Sequence, residues 1–330
     1  MKHFHFLSSS RLGLACVMAT LVAVVPLQAL SQAYPTKPVK VLVGFTAGGA
    51  VDLIARSVGQ AMQASLGQPV VVENKPGAGT NIAMKALIDA PPDGYTLMLT
   101  ANSIAANPAL YKPAPFDPEK DVAPVALVGR VPVVIAANAA SPYTSVAQLI
   151  QAAKGKPNTI AYGSPGNGAT PHMAMEFFTR AAGVDLQHIP YKGGSQAITD
   201  AIGGQIPLVA VNALEVLPHV KSGKLRVIAV LSPTRSSIYP DVPTMAEFGF
   251  PGFEASVWYG FIAPAATPKA VVERLHAEVE KALQHPDVRA RLANAGGEVL
   301  PGSTEQFAAL IRAERQRYDK LVREANIKPD

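Results

Sequence analysis

The 330-residue chain is 48% hydrophobic and only 16% charged, which supplies a large core and, at this length, suggests two domains rather than one. Its formal net charge of +5 falls to +3 once the N-terminal Lys2 and Arg11 are set aside, too small a surplus for a nucleic-acid-binding surface. The single cysteine, Cys16, lies in the N-terminal leader, which excludes disulfides and thiol chemistry from the rest of the chain.

Lys2 and Arg11 precede the apolar run 12–27, and Ser31, Gln32 and Ala33 place small residues before Tyr34. This is the pattern of a secretory signal peptide spanning 1–33 and cleaved after Ala33; the run is shorter than the roughly 20 residues of a membrane span. An exported chain of this size without further cysteines points to a bacterial periplasm.

From residue 39 onward, apolar runs of strand length alternate with helix-like segments. The pattern predicts strands at 39–45, 70–73 and 95–100 with helices at 51–66 and 80–90 between them, and the α/β class with a mostly parallel sheet covered on both faces. A proline-rich stretch, 112–124, precedes a second set: strands at 131–136, 159–162, 187–190, 208–211 and 225–231, and helices at 145–153, 169–182 and 195–202. Ser145 is placed to cap the first of these helices. Helical spacing with outward charges continues over 268–284 and 304–326. The residues by themselves thus predict two successive βαβ sets and two lobes.

Three glycine-rich turns, "FTAGGAVD" (45–52), "NKPGAGTN" (74–81) and "GSPGNGAT" (163–170), fall where a strand yields to a helix, the edge at which open α/β sheets bind ligands. The first N–H groups of a helix lack intrahelical acceptors and carry the positive end of its dipole, so they hold an anion without lysine or arginine. The candidate ligand-binding residues of the first turn are Phe45, Thr46, Ala47, Gly48 and Gly49. Asp52 either caps free amides there or accepts a hydrogen bond from the ligand, the first role being favoured. The third turn offers Ser164, Gly166, Asn167, Gly168, Ala169, Thr170 and the neighbouring His172. Asn102, Ser103 and Asn212 follow other strands at the same edge.

Catalytic signatures are missing. Gly77 to Ile82 has isoleucine where a dinucleotide fingerprint needs its third glycine, no P-loop string occurs, and Tyr162 stands where a nucleophile elbow needs glycine. The histidines have no zinc-binding spacing, so neither metal nor cofactor is expected. A solute-binding protein is the leading expectation; a secreted hydrolase or transferase acting on a small carboxylate, and a periplasmic sensor, are the alternatives.

Ten strings in order, "YPTKPVKVLVGFTAGGAVDLIAR", "VVVENKPGAGTNIA", "PPDGYTLML", "NPALY", "FDPEKDVAPVALV", "YGSPGNGATPHMAMEFF", "IPYKGGSQAITDAIGGQI", "GKLRVIAVLSPTR", "YPDVPTMAEFGFPGFE" and "WYGFIAPAATPKAVVERL", resemble the Bug family of extracytoplasmic solute receptors, the binding proteins of tripartite tricarboxylate transporters. The resemblance implies a two-lobed periplasmic binding protein fold and a ligand carboxylate held between 45–52 and 164–170. It also implies that the chain crosses between lobes twice, giving lobe 1 as 34–133 plus 258–330 and lobe 2 as 134–257. A monomer that hands a small organic carboxylate to the membrane subunits of such a transporter is the resulting expectation, with small dicarboxylates placed first. The family usually has proline at Thr46, glycine at Thr80 and serine at Ala169. Trp258 and Tyr259, near the second crossing, are expected as hinge or core residues.

Overall fold

The computed structural model describes residues 1–3, 34–232, 234–236, 238–294, 296–325 and 327, so the expected cleavage site and all of the leader beyond residue 3 lie outside the described residues. In chain order the elements are β1 (Val39–Val43), α1 (Ala50–Leu66), β2 (Val70–Asn74), α2 (Asn81–Ile88), β3 (Thr96–Thr100), α3 (Ser103–Leu110) and β4 (Val122–Asn138). There follow α4 (Val146–Ala153), β5 (Ala161–Ser164), α5 (Thr170–Ala182), β6 (Gln187–Pro190), α6 (Gly194–Ile202), β7 (Leu208–Asn212), α7 (Ala213–Lys221) and β8 (Leu225–Val230). The chain ends with β9 (Ser256–Pro264), α8 (Lys269–Leu283), α9 (Pro286–Ala293), β10 (Glu298–Val299) and α10 (Thr304–Ala325).

The class is α/β, with helices covering one curled sheet whose strand order is β2-β1-β3-β9-β4-β7-β5-β6, β8 and β10 pairing with β4 off this path. The parallel pairs that the alternating pattern predicts are the outer ones, β1 with β2 and β3, and β5 with β6 and β7. The centre is antiparallel, so the sheet is mixed. Two long strands cause this. β4 pairs with β9 from Val122↔Pro264 to Pro132↔Ser256 and then, from Val133 onward, with β7 and β8.

The first half of β4 escapes sequence reading because Pro124 and Gly129 look like breakers; the structure absorbs them with register shifts at Pro124/Ala126 and Leu127/Gly129. β9 escapes because it is buried on both faces and shows no alternation.

The local signals that hold are physical ones. Gly67, at φ 66°, ends α1 in the left-handed conformation and returns its N–H to Gln63. Ser145 accepts from the Gln148 N–H and starts α4. Val41, Val43, Ile54, Ala55, Val58 and Met62 knit β1 to α1 in the core, each large apolar side chain contributing roughly 1.5–3 kcal/mol by burial. This packing fixes the β1–α1 turn on a rigid base.

Candidate functional site

The N-termini of α1, α3, α5, α6 and α7 converge on one cavity with an empty volume of about 430 Å³, its mouth included. Of the residues expected from sequence, Phe45, Gly49, Ser103, Ala169, Thr170 and Asn212 line it. A hollow of about 780 Å³ adjoins it, sharing Phe45 and Pro165; Gly166, Asn167, Lys192 and the second glycine turn, Gly77 to Thr80, line that outer part. Among the described residues, the wall of the inner cavity has no lysine, arginine or histidine. Neither Gly49 nor Ala169, the residues before α1 and α5, caps its helix with a side chain; the Ala50 amide of α1 is taken by Glu215, whereas the start of α5 keeps the polarity that suits an anion.

The remaining expected residues lie around the wall. Asp52 is 2% exposed and accepts from the Gly48 N–H at 3.0 Å, from Asn74 Nδ2 at 3.0 Å and from Arg56 at 2.9–3.0 Å. Asn74 also donates to the Phe45 carbonyl at 3.0 Å. Burial opposes the charge on Asp52, but the Arg56, Gly48 and Asn74 hydrogen bonds outweigh it and leave the carboxyl below its ordinary value. Asp52 therefore sits outside the cavity wall and clamps the turn, with Gly48 held at φ 80°.

Thr46 and Ala47 face the β6–α6 loop. The Thr46 N–H donates to the Lys192 carbonyl at 3.1 Å, its hydroxyl lies 3.0 Å from that of Ser195, and Ser195 donates to the Ala47 carbonyl at 3.1 Å. The first turn is thus latched to the part of the sheet that begins after β4 changes partners. Thr46 supplies two of these groups, its amide and its hydroxyl.

Ser164 and His188 are brought together, with the Ser164 hydroxyl 2.7 Å from His188 Nε2. Ser164 is fully buried, and its hydroxyl also accepts from the Gly166 N–H at 3.1 Å. Burial pushes His188 down to about 4, and its ring stacks on those of Tyr162 and His172. Held in this way, the pair fixes the third turn. His172 adds to it by accepting from the Gly168 N–H at 3.2 Å. Asn102 turns toward β9 instead, accepting from the Trp258 N–H at 3.1 Å.

Among the cavity-lining residues that sequence reading missed, Gly194, Tyr259 and Glu215 bear most on its chemistry. Tyr259 combines a core position with a place in the cavity wall, and its hydroxyl accepts from Asn212 Nδ2 at 2.7 Å; Trp258 packs edge-on against Phe307 in the core. Glu215 stands in the first turn of α7. Burial raises its pKa to about 7, although the Ala50 and Asn212 amides pull the other way. Its signal was a lone charge inside the apolar string "IPLVAVNALEVLP".

Residues 54–327 match the profile of the tripartite tricarboxylate transporter family receptors. The chain belongs to this family. The protein BugT of Bordetella pertussis is 37% identical over 297 residues, covering 89% of this chain and 91% of that one. A structure of the periplasmic binding protein BugD is 35% identical, covers 90% of this chain and 100% of that one, and superposes with a TM-score of 0.87. MatC from Rhodopseudomonas palustris, solved with bound malate, is 30% identical with a TM-score of 0.84, over 88% of this chain and 100% of that one. Members of this family are periplasmic solute receptors, and the chain is a receptor of this kind rather than an enzyme. Among the described residues, no group of acidic, histidine or cysteine side chains is arranged to hold a metal ion, and no helix is long and apolar enough to cross a membrane.

Proposed function

We propose that this receptor captures a small organic carboxylate in the cavity between the β1–α1 and β5–α5 turns and passes it to the membrane subunits of a tripartite tricarboxylate-type transporter. The observation that carries the reading is the meeting of several helix N-termini on a cavity whose wall has no cationic side chain. Each helix start contributes about 0.3–1 kcal/mol toward an anion, up to about 2 when partly buried, whereas micromolar binding needs about 8 kcal/mol. Hydrogen bonds and exclusion of water on closure supply the difference.

Closure in this reading moves lobe 1 (34–133 with 258–330) against lobe 2 (134–257), bending β4 and β9 where β4 changes partners near Val133. The malate bound to the relative MatC supports a small organic carboxylate as the class of ligand. The receptor works as a periplasmic monomer released from its 1–33 leader.

The test is a thermal-shift screen of carboxylates followed by titration calorimetry. Saturable binding that is lost in Ala169→Leu, which fills the cavity beside the start of α5, supports the reading. Binding that survives this variant unchanged refutes the site.

A further inference from the structure

We propose that Glu215 is the specificity determinant of the cleft and makes it select an amino-carboxylate, a ligand that presents its carboxylate to the N-terminus of α5 and its protonated amine to Glu215. This deepens the carboxylate-receptor reading and rests on it.

Glu215 is 9% exposed and lines the inner cavity, and its Oε2 is buried without a hydrogen-bond partner among the described residues. A buried carboxylate oxygen in that position is costly unless something pairs with it. The groups around it are Gly49 and Ala50 of α1, Gly194 of α6, Asn212 of β7 and Tyr259 of β9. None is a cation. Among the described residues around it, the only other titratable group is Tyr259, whose phenol is held well above its ordinary value by burial and by the Glu215 charge, so it stays neutral. The charged form of Glu215 therefore has no partner among the described residues, and a ligand cation would supply one.

The surroundings leave space for this carboxylate and no substitute for it. A Cβ on Gly194 would fall 1.8 Å from Oε2, so a side chain at 194 would push the carboxylate out of this position. The Ala50 amide already leans on Glu215, which occupies the positive end of α1 with a charge of the protein's own. A ligand carboxylate at the same place meets a like charge. The start of α5, at Ala169 and Thr170 on the wall of the same cavity, has no side-chain cap and takes the ligand carboxylate instead. A dicarboxylate then directs its second charge at Glu215, whereas an ammonium forms a buried ion pair with it. Burial holds Glu215 near neutrality in the absence of a partner, and a cation stabilises its charged form.

The experiment is titration calorimetry at about pH 8 with aspartate, glutamate, 3-aminopropanoate and 4-aminobutyrate against succinate, glutarate and malate, using the wild-type chain and Glu215→Gln. The best amino-carboxylate binds the wild type about tenfold or more tighter than the best dicarboxylate, and Glu215→Gln loses that preference by the same factor without weakening the dicarboxylate. A wild-type preference for the dicarboxylate, or an amino-carboxylate preference that survives in Glu215→Gln, overturns the proposal alone. Binding by neither class overturns the carboxylate reading together with it. Should Glu215→Gln fail to fold, the wild type decides: the preference declines as the pH is lowered from about 8 to about 5.5 and Glu215 takes up its proton, and a pH-independent preference overturns the proposal.

Discussion

Truncating Asp52 to alanine tests whether the first turn is a fixture built before any ligand arrives. In Asp52→Ala the Gly48 N–H and Asn74 Nδ2 each lose an acceptor 3.0 Å away, and Arg56 loses the carboxylate it grips. The two part-buried, charge-assisted hydrogen bonds stabilise the fold by roughly 1–1.5 kcal/mol each. Arg56 is half exposed, and solvent screening limits its share to below about 1 kcal/mol. The expected loss is therefore about 3 kcal/mol, and about half of that in Asp52→Asn, which keeps one acceptor. Denaturant unfolding at neutral pH reads this as a lower midpoint at an unchanged slope.

The pH dependence gives a second arm. Because the folded Asp52 carboxyl titrates below its ordinary value of about 3.9, its stabilisation is whole above that value and disappears as the pH falls through the lower folded one. The gap between wild type and Asp52→Ala should hold down to about pH 4 and close only below it. A gap under about 0.5 kcal/mol at neutral pH, or Gly48 amide exchange no faster in the variant, refutes the argument.

Three other substitutions probe the neighbouring parts. Thr46→Val removes the hydroxyl that meets Ser195 and should cost less than about 1 kcal/mol, yet enlarge the radius of gyration of the ligand-free protein in small-angle X-ray scattering; identical scattering rejects the latch. Gly168→Ala forces φ 76° on a residue with a side chain and places its Cβ 2.6 Å from Asn107 Oδ1, while the Asn107 amide is tied to Gly79 and Asn81. It should lower stability by roughly 1–3 kcal/mol in chemical denaturation and weaken carboxylate binding; wild-type values in both would contradict the close contact. His188 titrates near 4 when folded against about 6.5 when unfolded, so it makes stability fall as the pH drops between those values and level off below them. His188→Gln should show a shallower fall over that window, and parallel melting curves for the two proteins would exclude the effect.

The parallel strands of the two sets were legible because Val39 to Val43 and Leu208 to Val211 are short apolar runs bounded by turn residues, a signal that depends only on local composition. The return of the chain to its first sheet was not. It rests on Met98 pairing with Ile262 and Leu99 with Phe261, contacts between distant segments that no local period announces. Half of the site followed the same division. Gly49, Ala169 and Thr170 were found because a strand-to-helix turn declares its own free amides. Glu215 was not, because what makes it notable is the set of neighbours that α1, α6 and β9 place around it. Asp52 lay between these cases: its i,i+4 relation to Arg56 is written in the sequence, but the choice between clamp and ligand contact needed Asn74 from β2.

The position of β9 also governs assembly of a chain that emerges N-terminus first. β1, β2 and β3 can align early, but the hydrogen-bonding edge of β3 has no neighbour until residues 260–262 appear, whereas β7 and β8 have β4 at hand much sooner. For that interval a nascent molecule carries a bare apolar strand edge, the feature most prone to pairing with another chain. A chain truncated before Ser256 would keep that edge permanently, and aggregation is its natural fate.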